Sequence, residues 1–166
     1  MARAAESEVL YGVHAVREAL AAGRRRIQAV YLASGQAEKR EALLQPHLRQ
    51  GGHKVQIVGL DRLRALTGSD QHQGVAARTG PLPLYAPEDL LPPAAVHSGH
   101  PLWLVLDGIV DPHNLGALLR SALCFGVDAV VIMKDRAAGP TPAVSRISVG
   151  ALEHIPLARA TNLART

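Results

Sequence analysis

The chain has 166 residues and is 48% hydrophobic, which favours one or two small globular domains and argues against disorder. Its single cysteine, Cys124, excludes an intramolecular disulfide framework and is typical of a reducing compartment. No apolar run approaches the roughly 18 residues that a membrane span requires, and the acidic N-terminus does not fit a signal peptide. We therefore expect a cytoplasmic protein that is not associated with a membrane.

The net charge of +4 is distributed unevenly along the chain. Residues 1–80 contain 12 lysines and arginines against 7 acidic residues, whereas residues 81–166 contain 6 against 7. The densest basic point is Arg24-Arg25-Arg26. A basic half-chain favours a polyanionic partner such as RNA, and an ordinary solvated surface is the alternative.

The first 79 residues are predicted to form a small α/β domain. Val13, Val16 and Leu20 have helical spacing, and Gly23 is a natural stop for that helix. A β-branched strand follows at 27–32. The remaining predicted elements are a helix at 38–50 that contains Pro46, a strand at 54–58, a short helix capped by Asp61 and ending at Leu66, and a strand at 75–78.

Residues 80–101 contain six prolines and no sustained periodicity. Proline lacks a backbone donor and fixes φ, so neither a helix nor a central strand can run through this stretch. We predict a semi-rigid linker here, with one helical turn at 87–91.

The second domain is predicted to alternate apolar strands with helices, which indicates a parallel sheet covered on both faces. The expected order is strand 102–106, helix 115–125, strand 129–133, helix 143–152 and a strand beginning at 155–158. Residues 162–166 look like the start of a further helix. Because three strands and a beginning helix do not complete such a domain, we expect the chain to be a fragment.

Residues 106–122 contain the most informative pattern. Asn114 stands at the predicted N-cap of a helix, in a loop beyond the end of a strand, where open α/β sheets bind ligands. Gly116 and Arg120 are four residues apart and share a helix face. The Arg120 side chain is expected to run back over Gly116 towards Asn114 and the free amides of the first turn. This arrangement predicts a pocket for a phosphate or a developing anion.

Structural interpretations of these residues stay open at this point. The asparagine is equally explained as a helix cap, and the arginine as a surface residue. Asp107 and Asp111 are expected to form turns and not a metal site, because no histidine or carboxylate cluster accompanies them. His113 is expected to be a loop residue, and Cys124 a core residue.

The segment 114–122 resembles the first motif of the SpoU (TrmH) class of the SPOUT superfamily of knotted methyltransferases. Other parts of the chain are similar to the same class. Residues 11–16 look like its opening segment, 72–75 like the close of its L30e-like substrate-binding domain, and 148–156 like the segment that follows the first motif. The resemblance therefore extends along the whole chain.

This resemblance implies an α/β fold in two parts: an L30e-like RNA-binding domain at 1–79 and, after the linker at 80–101, the N-terminal part of a trefoil-knot methyltransferase domain at 102–166. It implies S-adenosylmethionine-dependent 2'-O-methylation of a guanosine ribose in 23S rRNA, by a homodimer when complete. Asn114 and Arg120 are the implied catalytic residues. The two later motifs that form the knot and most of the cofactor pocket do not occur in this sequence, so we expect no cofactor-binding residue and no activity from the 166 residues alone.

The resemblance also implies that the first domain docks RNA. Because only 3% of the residues are aromatic, base stacking is not expected to be the main mode, and RNA shape, phosphates and 2'-hydroxyls are the expected determinants. The candidate RNA-binding residues are His14, Arg17, Arg24, Arg25, Arg26, Lys39 and Arg40.

Two other functions compete with this one. A non-catalytic RNA-binding protein would use the second domain only as a scaffold. A nucleotide-binding α/β enzyme would use the loop after Leu106, but that loop lacks the glycine-rich patterns that cradle phosphates.

Overall fold

The computed structural model describes residues 7–90 and 101–166, and its first domain is a four-stranded mixed sheet with three helices. The strand order is β1-β4-β2-β3, in which β4 is antiparallel to β1 and β2, and β3 is parallel to β2. The predicted helices and strands are confirmed with shifted ends, and β1 is an additional strand. The elements are β1 (Glu8–Tyr11), α1 (Val13–Ala22), β2 (Ile27–Ala33), α2 (Ala37–Gly51), β3 (Val55–Val58), α3 (Leu60–Thr67) and β4 (Val75–Thr79).

Helix α1 follows from its apolar spacing, because Val13, Val16 and Leu20 are all buried in the first core. It ends at Gly23, whose φ of 62° is in the left-handed region and whose N–H is 3.2 Å from the Ala19 carbonyl oxygen. Helix α2 continues through Pro46. The prediction that Asp61 caps α3 is wrong, because Gly59 is the N-cap and Asp61 lies in the first turn.

The second domain is a three-stranded parallel sheet, as predicted, and its strand order is β5-β6-β7. The helix predicted at 143–152 is wrong in its extent, because the chain turns through Val149 at φ 57° and Gly150 at φ 84° and then forms a 3₁₀ turn. Residues 162–166 form a turn and not a helix. The elements are β5 (Trp103–Leu106), α4 (Pro112–Cys124), β6 (Ala129–Met133), α5 (Pro142–Ile147) and β7 (Leu157–Ala160).

Part of the proline-rich segment belongs structurally to the second domain. Leu82 and Leu84 alternate with exposed prolines and pack into the second core. Tyr85 then pairs beside β7, donating its N–H to the Leu157 carbonyl at 3.0 Å. The predicted helical turn is confirmed as a 3₁₀ turn at Pro87–Leu90. Residues 82–90 of the predicted semi-rigid linker are therefore packed against the second domain, and its residues 91–100 lie outside the described residues.

The helices in the described parts of the chain are all too short or too polar to cross a membrane.

Candidate active site and interdomain contact

The loop after β5 leads into α4, and the residue that caps this helix is not the predicted one. Asp111 is the N-cap, and its Oδ1 accepts a hydrogen bond from the His113 amide at 2.9 Å. Pro112 occupies the first helical position, which its fixed φ suits. Asn114 is therefore an exposed residue inside the first turn. The Asp111 carboxylate already lies at this helix terminus. The prediction that free amides of the first turn help to bind an anion is therefore also wrong.

Gly116 has a different role from the predicted one. A Cβ atom at this position would lie 2.6 Å from Ile147 Cγ2 and 3.2 Å from the Ser148 amide nitrogen. The glycine therefore permits the close approach of α4 to α5 and the residue after it. It does not provide a path for the Arg120 side chain.

Arg120 is exposed on α4, one turn after Gly116. Asn114 and Arg120 are six residues apart, which in a helix is about 9 Å of rise and about 240° of rotation. The predicted catalytic pair is thus spread over different faces of α4, and Arg120 faces a groove to which Asn114 does not contribute.

This interdomain groove has a volume of about 380 Å³ and lies between α1 and the second domain. Its lining includes Glu18 from α1, Arg120, Leu123 and Cys124 from α4, and Val149 and His154 from the segment after α5. Cys124 is exposed here, so the prediction of a core cysteine is wrong. Cys124 lies on the opposite face of α4 from the buried Leu115 and Leu119.

Glu18 provides the negative charge of the groove. Its Oε2 lies 2.9 Å from His154 Nε2, and its Oε1 accepts a hydrogen bond from Arg17 Nε at 2.8 Å. Burial alone would raise the pKa of Glu18, but the hydrogen bonds from His154 and Arg17 and the charges of both residues outweigh it and lower that pKa. Glu18 is therefore ionised at neutral pH.

Arg25, one of the predicted RNA-binding residues, is buried between the domains. Its side chain is 0% exposed, and its Nε and Nη2 donate to the two carboxylate oxygens of Glu153 at 2.7 and 3.2 Å. Its Nη1 also contacts Glu8 Oε2 at 2.6 Å, and Ser145 Oγ donates to Glu153 Oε1 at 2.7 Å. A guanidinium held in this way cannot reach a phosphate, so the RNA-binding prediction for Arg25 is wrong.

Arg24 is also engaged between the domains. It donates through Nη1 to the carbonyl oxygens of Ile155 at 2.8 Å and Glu153 at 3.2 Å. Its guanidinium lies 5.9 Å from the centre of the Tyr85 ring, within cation–π range. The prediction that Arg24 binds RNA is therefore corrected to a role in joining the domains, whereas the next residue, Arg26, is exposed.

The other predicted RNA-binding residues lie at the surface. Lys39 is exposed near the start of α2, and Arg40 donates through Nε to Gln36 Oε1 at 3.1 Å. Arg40 also lines a cleft of about 430 Å³ between α2, α3 and the turn before β4. His14 is exposed on α1, and the half-exposed Arg17 is paired with Glu18.

Glu153, Glu18 and His154 were not found by sequence reasoning. One signal for Glu153 was present, since it is an isolated carboxylate within an otherwise apolar segment, and such a residue is buried only with a partner. No sequence feature pairs Glu18 with His154, which is 136 positions away. Across residues 7–90 and 101–166, no three histidine, cysteine or acidic side chains come together to hold a metal ion.

Comparison with family models gives one match for each domain. A model described as RNA 2'-O ribose methyltransferase substrate binding matches residues 9–85. A model described as the SpoU rRNA Methylase family matches residues 101–166.

Curated relatives match across both domains. The chain is 41% identical over 160 residues to the 23S rRNA (guanosine-2'-O-)-methyltransferase RlmB of Salmonella typhimurium and to that of Escherichia coli K12. It is 42% identical over 163 residues to that of Haemophilus ducreyi. Each match covers 96% of this chain and 65% of the relative, so the chain spans just under two thirds of these proteins.

Solved structures show the same fold. The SpoU methyltransferase AviRb from Streptomyces viridochromogenes, in complex with AdoMet, matches with a TM-score of 0.71 at 19% identity, over 96% of this chain and 57% of that one. An AdoMet-bound rRNA methyltransferase from Sinorhizobium meliloti matches with a TM-score of 0.67 at 24% identity, over 93% and 54%. These matches confirm the predicted fold class.

Proposed function

Because the chain belongs to the SpoU class of RNA methyltransferases, we propose that the protein containing it uses S-adenosylmethionine to methylate the 2'-hydroxyl of a guanosine ribose in 23S rRNA. The observation that carries this proposal is the identity of 41% over 160 residues to relatives named for that reaction. The match extends through both domains, so it includes the RNA-binding part as well as the catalytic part.

The residues of this chain do not by themselves fit S-adenosylmethionine. The cleft at the carboxyl end of β7, about 490 Å³ in volume, is lined by Glu88, Asn162, Arg159 and Arg165. Two arginines disfavour a positively charged sulfonium. We therefore assign no described residue to the cofactor, which supplies the methyl group when bound.

We assign Arg120 to the reacting ribose. A hydroxyl is a poor nucleophile, so positioning and stabilisation of the developing oxyanion are the main contributions that a protein can make. Free guanidinium keeps its proton above about pH 12, so Arg120 acts as a cation and not as a base. Its side chain is exposed and lines the groove, which leaves it available to a substrate anion. We also propose Asn114 as a catalytic residue, on the resemblance of residues 114–122 to the first SpoU motif; it lies in the first turn of the same helix, outside the groove.

The Arg120→Ala variant tests this assignment. In the methyltransferase that contains this chain, we expect turnover to fall by at least about 10²-fold, because a donor to a developing oxyanion is lost. RNA affinity should fall only modestly. Methyl transfer from radiolabelled S-adenosylmethionine to rRNA measures the first quantity and filter binding the second. Arg62→Ala, an exposed arginine on α3, is the matched control, and near-normal methylation by Arg120→Ala removes Arg120 from the mechanism.

We propose that rRNA docks on the first domain through Arg26, Lys39, Arg40, His14 and Arg17. Exposure supports Arg26, Lys39 and His14 most directly, since Arg40 is only partly exposed and Arg17 is already paired with Glu18. Each lost phosphate contact should lower the slope of log affinity against log salt by about 1. We expect this change for Lys39→Ala and Arg40→Ala in rRNA titrations at several salt concentrations, with Arg62→Ala as control. A flat salt response of the wild-type chain contradicts the docking surface.

We further propose that the complete protein works as a homodimer in the cytoplasm. Phe125 and Val110, just beyond the two ends of α4, are 80% and 66% exposed, and their burial against a second copy would remove this apolar surface from water. Sedimentation velocity of the complete protein tests the dimer, and a monomer at micromolar concentration contradicts it.

A further inference from the structure

The interdomain groove has an apolar centre with opposite charges on its lining. Leu123 and Val149, each 41% exposed, contribute its apolar surface. Arg120 is a cation on the α4 side, and Glu18 is an anion on the α1 side. The volume of about 380 Å³ lies within the range of small-molecule sites, about 300–1,000 Å³. An aromatic ligand with an anionic end and a hydrogen-bond-donating end matches this lining.

Resting on the proposed function, we propose that the groove receives the guanine nucleotide to be methylated and that Glu18 recognises its base. In this arrangement the base lies on the apolar surface, and Arg120 faces the ribose and phosphate. Oε2 of Glu18 accepts a three-centre hydrogen bond from the N1–H and the 2-amino group of guanine. Adenine presents an acceptor at N1 and has no 2-amino group, so it faces the carboxylate with a lone pair and offers it no donor.

Glu18 is a preformed acceptor because the second domain fixes its position. A Cβ atom at Gly150 would lie 2.5 Å from Glu18 Cβ and Cγ, so this glycine allows α1 to approach. His154 holds Oε2 at 2.9 Å and Arg17 holds Oε1 at 2.8 Å. Arg17 also approaches Oε1 through Nη2 at 2.7 Å, so both lone pairs of Oε1 are engaged and the lone pair left for a ligand is on Oε2. Specificity would thus come from the RNA-binding domain and catalysis from α4, on two sides of one groove.

Cys124 provides a direct probe, because it lines the groove and is the only cysteine of the chain. The experiment measures the rate of Cys124 alkylation in the 166-residue chain at millimolar guanosine, inosine or adenosine 5'-monophosphate. We expect strong protection by the guanosine nucleotide, weaker protection by the inosine nucleotide and little by the adenosine nucleotide. A hydrogen bond to a charged group corresponds to a difference of about tenfold in affinity.

The Glu18→Gln variant should lose the preference for guanosine over adenosine nucleotide, whereas Glu18→Asp should keep a reduced preference. Glu38→Gln, an exposed acid on α2, is the matched control, and thermal unfolding of each variant establishes that it is folded. Equal protection by the guanosine and adenosine nucleotides, or no protection by either, overturns the proposal. Slow alkylation in the absence of nucleotide, at a rate that depends on protein concentration, also overturns the proposal. A second copy of the chain would then cover the groove.

Methylation assays separate this inference from the proposed function. If the methyltransferase modifies rRNA and Glu18→Gln leaves its KM for RNA and its guanosine preference unchanged, the groove assignment fails and the function stands. If the wild-type enzyme transfers no methyl group to rRNA, the proposed function fails, whatever the alkylation results.

Discussion

Two adjacent residues, Glu153 and His154, join the second domain to the first in opposite ways. Glu153 points inward, where its 0% exposed side chain neutralises Arg25. His154 points outward and pairs with Glu18 at a groove that is open to solvent, with side chains 33% and 21% exposed. We call these the inner contact (Arg24, Arg25 and Glu153) and the outer contact (Glu18 and His154).

The difference between them shows how burial decides the use of a charge. At the inner contact the Arg25 and Glu153 charges are desolvated, and their hydrogen bonds to each other and to Glu8 and Ser145 offset that cost, so these charges hold the domains together and are unavailable to a ligand. At the outer contact water screens the pair, so it adds little stability but keeps a carboxylate accessible. Stability should therefore depend on the inner contact, and recognition on the outer one.

The largest effect is expected from breaking the inner contact. Arg25→Ala leaves the buried Glu153 carboxylate without its cation, which should lower the free energy of unfolding by about 3–5 kcal/mol. Urea unfolding followed by circular dichroism measures this quantity. Arg26→Ala removes the exposed neighbouring arginine and should change it by no more than about 0.5 kcal/mol. Similar unfolding free energies for the two variants would contradict the structural role of the inner contact.

A double variant sharpens the same test. Arg25→Met combined with Glu153→Leu removes both charges and should recover much of the stability that Arg25→Ala loses, because no buried charge is left unpaired. The two single variants complete the cycle and give the coupling between the residues. Strictly additive effects would mean that the pair does not interact.

The arginine run also shows what the sequence could not predict. Arg24, Arg25 and Arg26 are chemically identical neighbours, yet one is half-buried, one is buried and one is exposed. The carboxylate that determines this, Glu153, is 128 positions away. Charge density along the sequence predicts a basic surface, but only the packing of the two domains determines which guanidinium reaches solvent.

Local patterns predict more of the fold; one of their failures has a local cause, and another comes from a neighbouring helix. The apolar runs at β5 and β6 predict the parallel sheet; β6 is buried on both faces, as such runs indicate, whereas β5 is only partly covered and leaves Val105 53% exposed. The start of α4 was placed at Asn114 although Pro112 follows Asp111, the usual order of a cap and a first helical residue. Gly116 was interpreted from its own helix alone, whereas its tight contact comes from Ile147 on another helix.

A smaller effect is expected from crowding the outer contact. Gly150→Ala places a Cβ 2.5 Å from Glu18 and also forces a non-glycine residue into the left-handed region at φ 84°. Gly126→Ala has a similar φ of 69° with no atom within 4 Å, so it isolates the backbone cost. We expect Gly150→Ala to destabilise the chain by about 1–3 kcal/mol more than Gly126→Ala. Equal losses in urea unfolding would show that α1 does not pack closely against Gly150.

The smallest effect is expected from the charge of Glu18. Its folded-state pKa is lowered, so the ionised carboxylate adds stability above its unfolded pKa of about 4.3, and this stability is lost as the pH falls through the folded pKa. Because the pair is partly exposed, the contribution should not exceed about 1 kcal/mol. Wild type should therefore be slightly more stable than Glu18→Gln at neutral pH, and the difference should disappear in acid. Asp135→Asn, at an exposed loop carboxylate, should show a smaller difference at every pH. If the difference in stability between wild type and Glu18→Gln instead grows as the pH falls, the sign of this linkage is reversed. The outer contact would then not favour the ionised carboxylate that the proposed guanine recognition requires.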